Sequence, residues 1–102
     1  MANFVFVGSS DEPLVFTPLS DGVPLDGSII IRAVFVANAY TADSAIDSDI
    51  SWTDEGVFTI MLNNKLSKGV CESSLRLFYA DSVDGTVVIH PNLSASLRLT
   101  IV

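Results

Sequence analysis

One cysteine and one histidine are all that this 102-residue chain offers for disulfides, thiolate or imidazole metal ligands and imidazole bases. Cys71 alone closes no intrachain disulfide, so packing and hydrogen bonds must hold the fold, as expected in a reducing cytoplasm. It has no base nearby in sequence and reads as a small buried apolar residue. His90 precedes Pro91 and has no second ligand or nucleophile to work with, so it reads as a turn residue. Cations are scarce too. Five Lys and Arg stand against twelve Asp and Glu, a net charge of −7, which is the wrong sign for neutralising phosphates and excludes DNA and RNA as partners. A basic protein surface stays compatible. Long apolar runs are missing: the longest candidate, residues 29–39, is broken by Arg32 and falls short of the roughly 20 residues a membrane helix needs. Membrane insertion is therefore not expected. Residues 1–8 have neither the basic start nor the apolar core of a secretory signal, so the expectation is synthesis in a cytoplasm without export. The acceptor triplet Asn92-Leu93-Ser94 is then idle. No spaced set of acid, base and nucleophile exists, and the chain reads as non-enzymatic, with no catalytic, cofactor-binding or metal-binding residue assigned.

What the chain has in quantity is apolar residues. They make up 49% of the sequence against 17% charged, more than one small core requires, so part of the surface is expected to meet another chain. The length fits a single domain spanning 1–102. Proline and glycine punctuate residues 8–27, leaving Leu14 to Thr17 as a short edge strand. From Ser28 to Asn38 the pattern predicts the strongest strand, with Ile29, Ile31, Ala33 and Phe35 on one face and Ile30, Arg32, Val34 and Val36 on the other. Residues 38–49 turn polar and small and read as a loop or one brief helical turn. Period-two alternation then returns. Phe58, Ile60 and Leu62 share a face; Asn63-Asn64 suits a turn; Leu75, Leu77 and Tyr79 point inward with Arg76 and Phe78 outward. Asp84-Gly85 opens a hairpin into Thr86 to Ile89, and Leu97, Leu99 and Ile101 alternate with Ser96, Arg98 and Thr100. This spacing predicts an all-β fold, an antiparallel sandwich of seven to eight strands with Greek-key links.

Several groups invite a functional reading. Trp52 with Tyr79 forms either part of the core or an aromatic platform for a surface glycan, the latter being the carbohydrate-binding or adhesion alternative. Asp43, Asp47, Asp49, Asp54 and Glu55 make either a solvated acidic loop or a calcium site, although the spacing of a known calcium loop is missing. Arg32, Arg76 and Arg98 each fall mid-strand, and pair either with acids across their own sheet or with an acidic neighbour. Phe4, Val5, Phe6 and Val7 form a short apolar strand with two readings: it caps its own sheet, or residues 1–8 act as an assembly arm lying along a neighbour's open edge. These seven residues are the interface candidates.

Trp52, Gly56-Val57-Phe58-Thr59-Ile60, Leu66-Ser67-Lys68-Gly69, Leu75-Arg76-Leu77-Phe78-Tyr79, Asp84-Gly85-Thr86 and Leu97-Arg98-Leu99-Thr100-Ile101-Val102 together resemble the immunoglobulin-like domains of tailed-bacteriophage virion proteins. The likeness covers residues 50–102, and the opening half is similar in its short strand ending near Thr17 and its Pro24-Leu25-Asp26-Gly27 turn. It implies an immunoglobulin-like sandwich and a structural, non-enzymatic role on a capsid, tail or baseplate. Virion proteins and further copies of the chain are the implied partners, the virion its location. No further domain is expected beyond this one, an expectation that favours a free-standing decoration or connector protein over a fibre adaptor. A subunit of a non-viral assembly is the remaining alternative.

Overall fold

The structure is a computed structural model that describes residues 2–20, 22–81, 83–93 and 95–102, with side chains described for all of these except 2–4, 20 and 95. Its strands are β1 (Ala2–Gly8), β2 (Pro13–Phe16), β3 (Leu19–Ser20), β4 (Val23–Pro24), β5 (Ile30–Ala37), β6 (Tyr40–Asp43), β7 (Ile50–Trp52), β8 (Phe58–Met61), β9 (Gly69–Tyr79), β10 (Thr86–Ile89) and β11 (Ala95–Ile101). A single 3₁₀ turn, Gly27–Ile29, is the helical element among the described residues. The fold is all-β, as the alternation predicts.

A six-stranded sheet runs β1-β11-β9-β5-β6, with β10 also on β9, and a three-stranded sheet runs β2-β8-β7; β3 and β4 form a two-residue ladder. The long β9 organises the larger sheet. Its second half pairs with β5 on one side, while β11 and β10 pair with successive stretches of its other side, at Gly69–Glu72 and Leu75–Leu77. The expected antiparallel arrangement holds for every ladder but one. β1 lies parallel to β11, with Phe4 opposite Leu97 and Gly8 opposite Ile101, so this sheet is mixed.

Both sheets turn one face to a shared core. Leu14, Phe58 and Ile60 from the smaller sheet, and Phe35, Leu75, Leu77, Leu97 and Leu99 from the larger, are all fully buried in one cluster. Phe58 stacks on Phe16 at 6.0 Å and on Trp52 at 5.7 Å between ring centroids, a spacing at which aromatic pairs attract beyond their area. Tyr40, on the β5–β6 hairpin, donates its hydroxyl to the Met61 carbonyl on β8 at 2.5 Å and ties the sheets together. At the other end the Trp52 indole N–H donates to the Gly27 carbonyl. There Gly27 and Gly56 admit no side chain: a Cβ on Gly27 meets the Thr53 carbonyl at 1.9 Å, and one on Gly56, at φ 85°, meets the Leu25 carbonyl at 2.3 Å.

Two sequence expectations change. Residues 38–49 are not a loop throughout, because Tyr40–Asp43 forms β6 against β5 across a tight Asn38-Ala39 turn, with Asn38 at φ 54°. Asparagine tolerates that left-handed backbone better than most residues. The predicted faces of the 28–38 strand hold only from Arg32 onward. The ladder shifts register between Ile30 and Arg32, and this bulge buries Ile30 while leaving Ile31 63% exposed. The Asn63-Asn64 turn is present, with φ of 56° and 57°.

Candidate functional site

Strand pleating sends alternate residues to opposite faces, and the face of the larger sheet turned away from the core gathers most of the interface candidates. Val5 lies in register with Arg98, which lies opposite Glu72; Val7 is in register with Thr100, which faces Val70. Farther across, Arg32 is opposite Phe78, and Arg76 is opposite Val34. The sequence scatters these residues over four strands, and the sheet brings them together.

Their roles there differ. Arg32 grips Asp43 with two hydrogen bonds, Nε to Oδ1 at 2.9 Å and Nη2 to Oδ2 at 2.5 Å, and its guanidinium sits 4.8 Å from the centroid of the Phe78 ring. Arg98 donates to Glu72 at 3.1 Å. Arg76 donates to the Asp84 carbonyl at 2.6 Å, bracing the β9–β10 hairpin. All three arginines thus have partners within their own chain, and Arg76 and Arg98 remain exposed. Phe6 turns inward against the core, whereas Val5 and Val7 point out. The Phe4 side chain lies outside the described residues; its backbone pairs with Leu97.

One end of this outer face is apolar. Val5, Val7, Val70 and Val102 are 68%, 64%, 64% and 64% exposed. They stand on β1, on β9 and just after β11, which lies between those two strands, with Thr100 between Val7 and Val70. Sequence reasoning named Val5 and Val7 but missed Val70 and Val102, for which the only signal was an apolar residue out of phase with Cys71 and Ile101.

The acidic stretch 43–55 divides once folded. Asp43 is buried; Arg32 and the Ala45 N–H hold its carboxyl below the usual carboxylate range, against burial that pushes it up. Asp47 accepts from the Asp49 N–H in a local turn. Among the described residues, no cluster of three or more His, Cys, Asp or Glu is arranged to hold a metal ion. Trp52 and Tyr79 sit on different sheets, and the indole is committed to Gly27 and Phe58. Cys71 is buried, and desolvation, aided by Glu72, pushes its thiol up. His90 Nδ1 accepts from the Asn92 N–H at 3.1 Å, within the turn that leads to β11. A depression of about 500 Å³ beside β6 is lined by Ala39, Tyr40, Thr41, Asp49 and Lys65; the Tyr40 hydroxyl there is spent on Met61. Comparison with family models, with curated proteins and with solved structures finds no match.

Proposed function

We propose that this chain is a non-enzymatic assembly protein: an immunoglobulin-like sandwich of the kind used in tailed-phage virions, which docks onto a capsid, tail or baseplate and stabilises it. The strand order supports the fold part of this reading. In immunoglobulin terms β2-β8-β7 takes the places of strands B, E and D, and β11-β9-β5-β6 those of G, F, C and C′. The residue pattern from Trp52 to Val102 supports the family.

The observation that carries the docking reading is the exposed Val5, Val7, Val70 and Val102 patch. Exposed apolar residues gathered on one face cost solubility and commonly mark an interaction site, while the Arg98–Glu72 pair beside them supplies a polar rim. The mechanism is burial of surface, not chemistry. Co-sedimentation with heads, tails and baseplates of the virus that encodes the chain tests it. Stoichiometric binding by the natural chain, weakened by Val70→Lys in a protein that still folds, is the expected result; no binding to any of the three particles overturns the reading.

A further inference from the structure

The edge of the larger sheet is as informative as its face. β1 is the terminal strand, and β11 is its only ladder partner among the described residues. The Val102 N–H donates to the Gly8 carbonyl at 3.0 Å, so the main-chain groups of Gly8 point toward β11. Along a strand these groups alternate in direction; those of Phe6 and Phe4 therefore also point toward β11, and those of Val5, Val7 and Asn3 point out of the sheet. They form a row of donors and acceptors with no ladder partner.

Natural edge strands are commonly blunted by charge, proline, bulges or shortness. β2 opens on Pro13, β7 has three residues, and β6 has four and ends on the buried Asp43. β1 has none of these safeguards. It is seven residues of Ala-Asn-Phe-Val-Phe-Val-Gly, without charge or proline, paired in unbroken register.

We propose that β1 pairs edge to edge with β1 of a second copy, antiparallel about a twofold axis, joining two larger sheets into one. Centred on Val5, the pairing sets Val5 against Val5 and Val7 against Asn3, so that each outward donor meets an outward acceptor of the identical strand. The two Val5 residues, on the same face of the joined sheet, then lie side by side at the twofold axis. A net charge of −7 opposes association, but along β1 itself the charge is local and small: Arg98, in register with Val5, is paired with Glu72, and Glu12 lies beside Gly8 at the far end of the strand. The contact is a strand edge and a small patch, in the class below about 1,200 Å² that gives weak, reversible association. This inference deepens the docking reading by naming one partner, and rests on it for the working surface.

Sedimentation velocity of the full chain over a concentration series, with amide hydrogen exchange at low and high concentration, tests the pairing. The natural chain is expected to dimerise as concentration rises, with the Val5 and Val7 amides gaining protection while the Phe6 amide stays protected throughout. Val5→Lys and Val7→Lys, at exposed positions, are expected to abolish the dimer without shifting the urea midpoint. A monomer at every concentration, or a dimer indifferent to both lysines, overturns the proposal. So does protection of Val5 and Val7 that appears only when virus particles are added, which would assign the edge to another protein. Particle binding by a strictly monomeric chain would sink the pairing and leave the docking function standing; a dimer that ignores every particle would do the reverse.

Discussion

Asp43 lies under the Arg32 guanidinium and also accepts the Ala45 N–H, so one carboxylate joins β5, β6 and the turn that follows. Its folded pKa is lowered by Arg32 first and Ala45 second. The unfolded carboxyl titrates at about 3.9. The stabilisation is therefore complete above that pH and is lost as pH falls through the lower, folded value. Asp43→Asn should reduce unfolding free energy at neutral pH by about 1–3 kcal/mol. The smaller figure is favoured because the Arg32 side chain stays 40% exposed and solvent screens the pair. Urea titrations from neutral to acid pH check this: the gap between natural chain and variant should close as the medium is acidified, and a constant gap would refute the assignment. The Arg98–Glu72 pair, exposed on both sides, contributes little by the same reasoning.

At the level of elements, β1 belongs to its own sheet, with Phe6 packed on the core and seven residues in register with β11. Deleting residues 1–8 should then destabilise the monomer, by about 1–2 kcal/mol for the half-buried Phe6 alone, with more for the lost ladder. Thermal or urea unfolding measures it. An unchanged midpoint together with lost assembly would instead mark these residues as an arm that works on a neighbour. Which strands were legible in the sequence follows a physical division. β8, β9 and β11 could be read because Phe58 and Ile60, Leu75 and Leu77, and Leu97 and Leu99 keep strict period-two phase, and burial on one face imposes that phase. β6 could not, because Asp43 looks like a solvated residue until Arg32 arrives from β5. The phase of Ile29 and Ile31 misled because a bulge leaves no trace in hydrophobicity. The candidate site was legible as a set of residues, Val5, Val7, Arg32, Arg76 and Arg98, but not as a single face. Strand order is a nonlocal property, and nothing in Ala2–Gly8 announces β11 as its neighbour.

For the whole molecule, charge opposes association while the apolar patch favours it. Each copy carries −7, and the Debye length shrinks from about 10 Å at 0.1 M salt to about 3 Å at 1 M. Docking that rests on apolar burial and main-chain pairing should accordingly tighten as sodium chloride is raised, which sedimentation at several ionic strengths can measure. Weakening with salt would point to a contact made by charge pairs, with a basic partner. The parallel seating of β1 beside β11 has one more consequence. A pull that separates the start of β1 from the end of β11 draws the two strands past each other lengthwise. The bonds between them then share the load and must yield together, instead of parting one by one like a zip. A domain whose β1 and β11 are clasped in this way resists being drawn out into thread when it is pulled along that line.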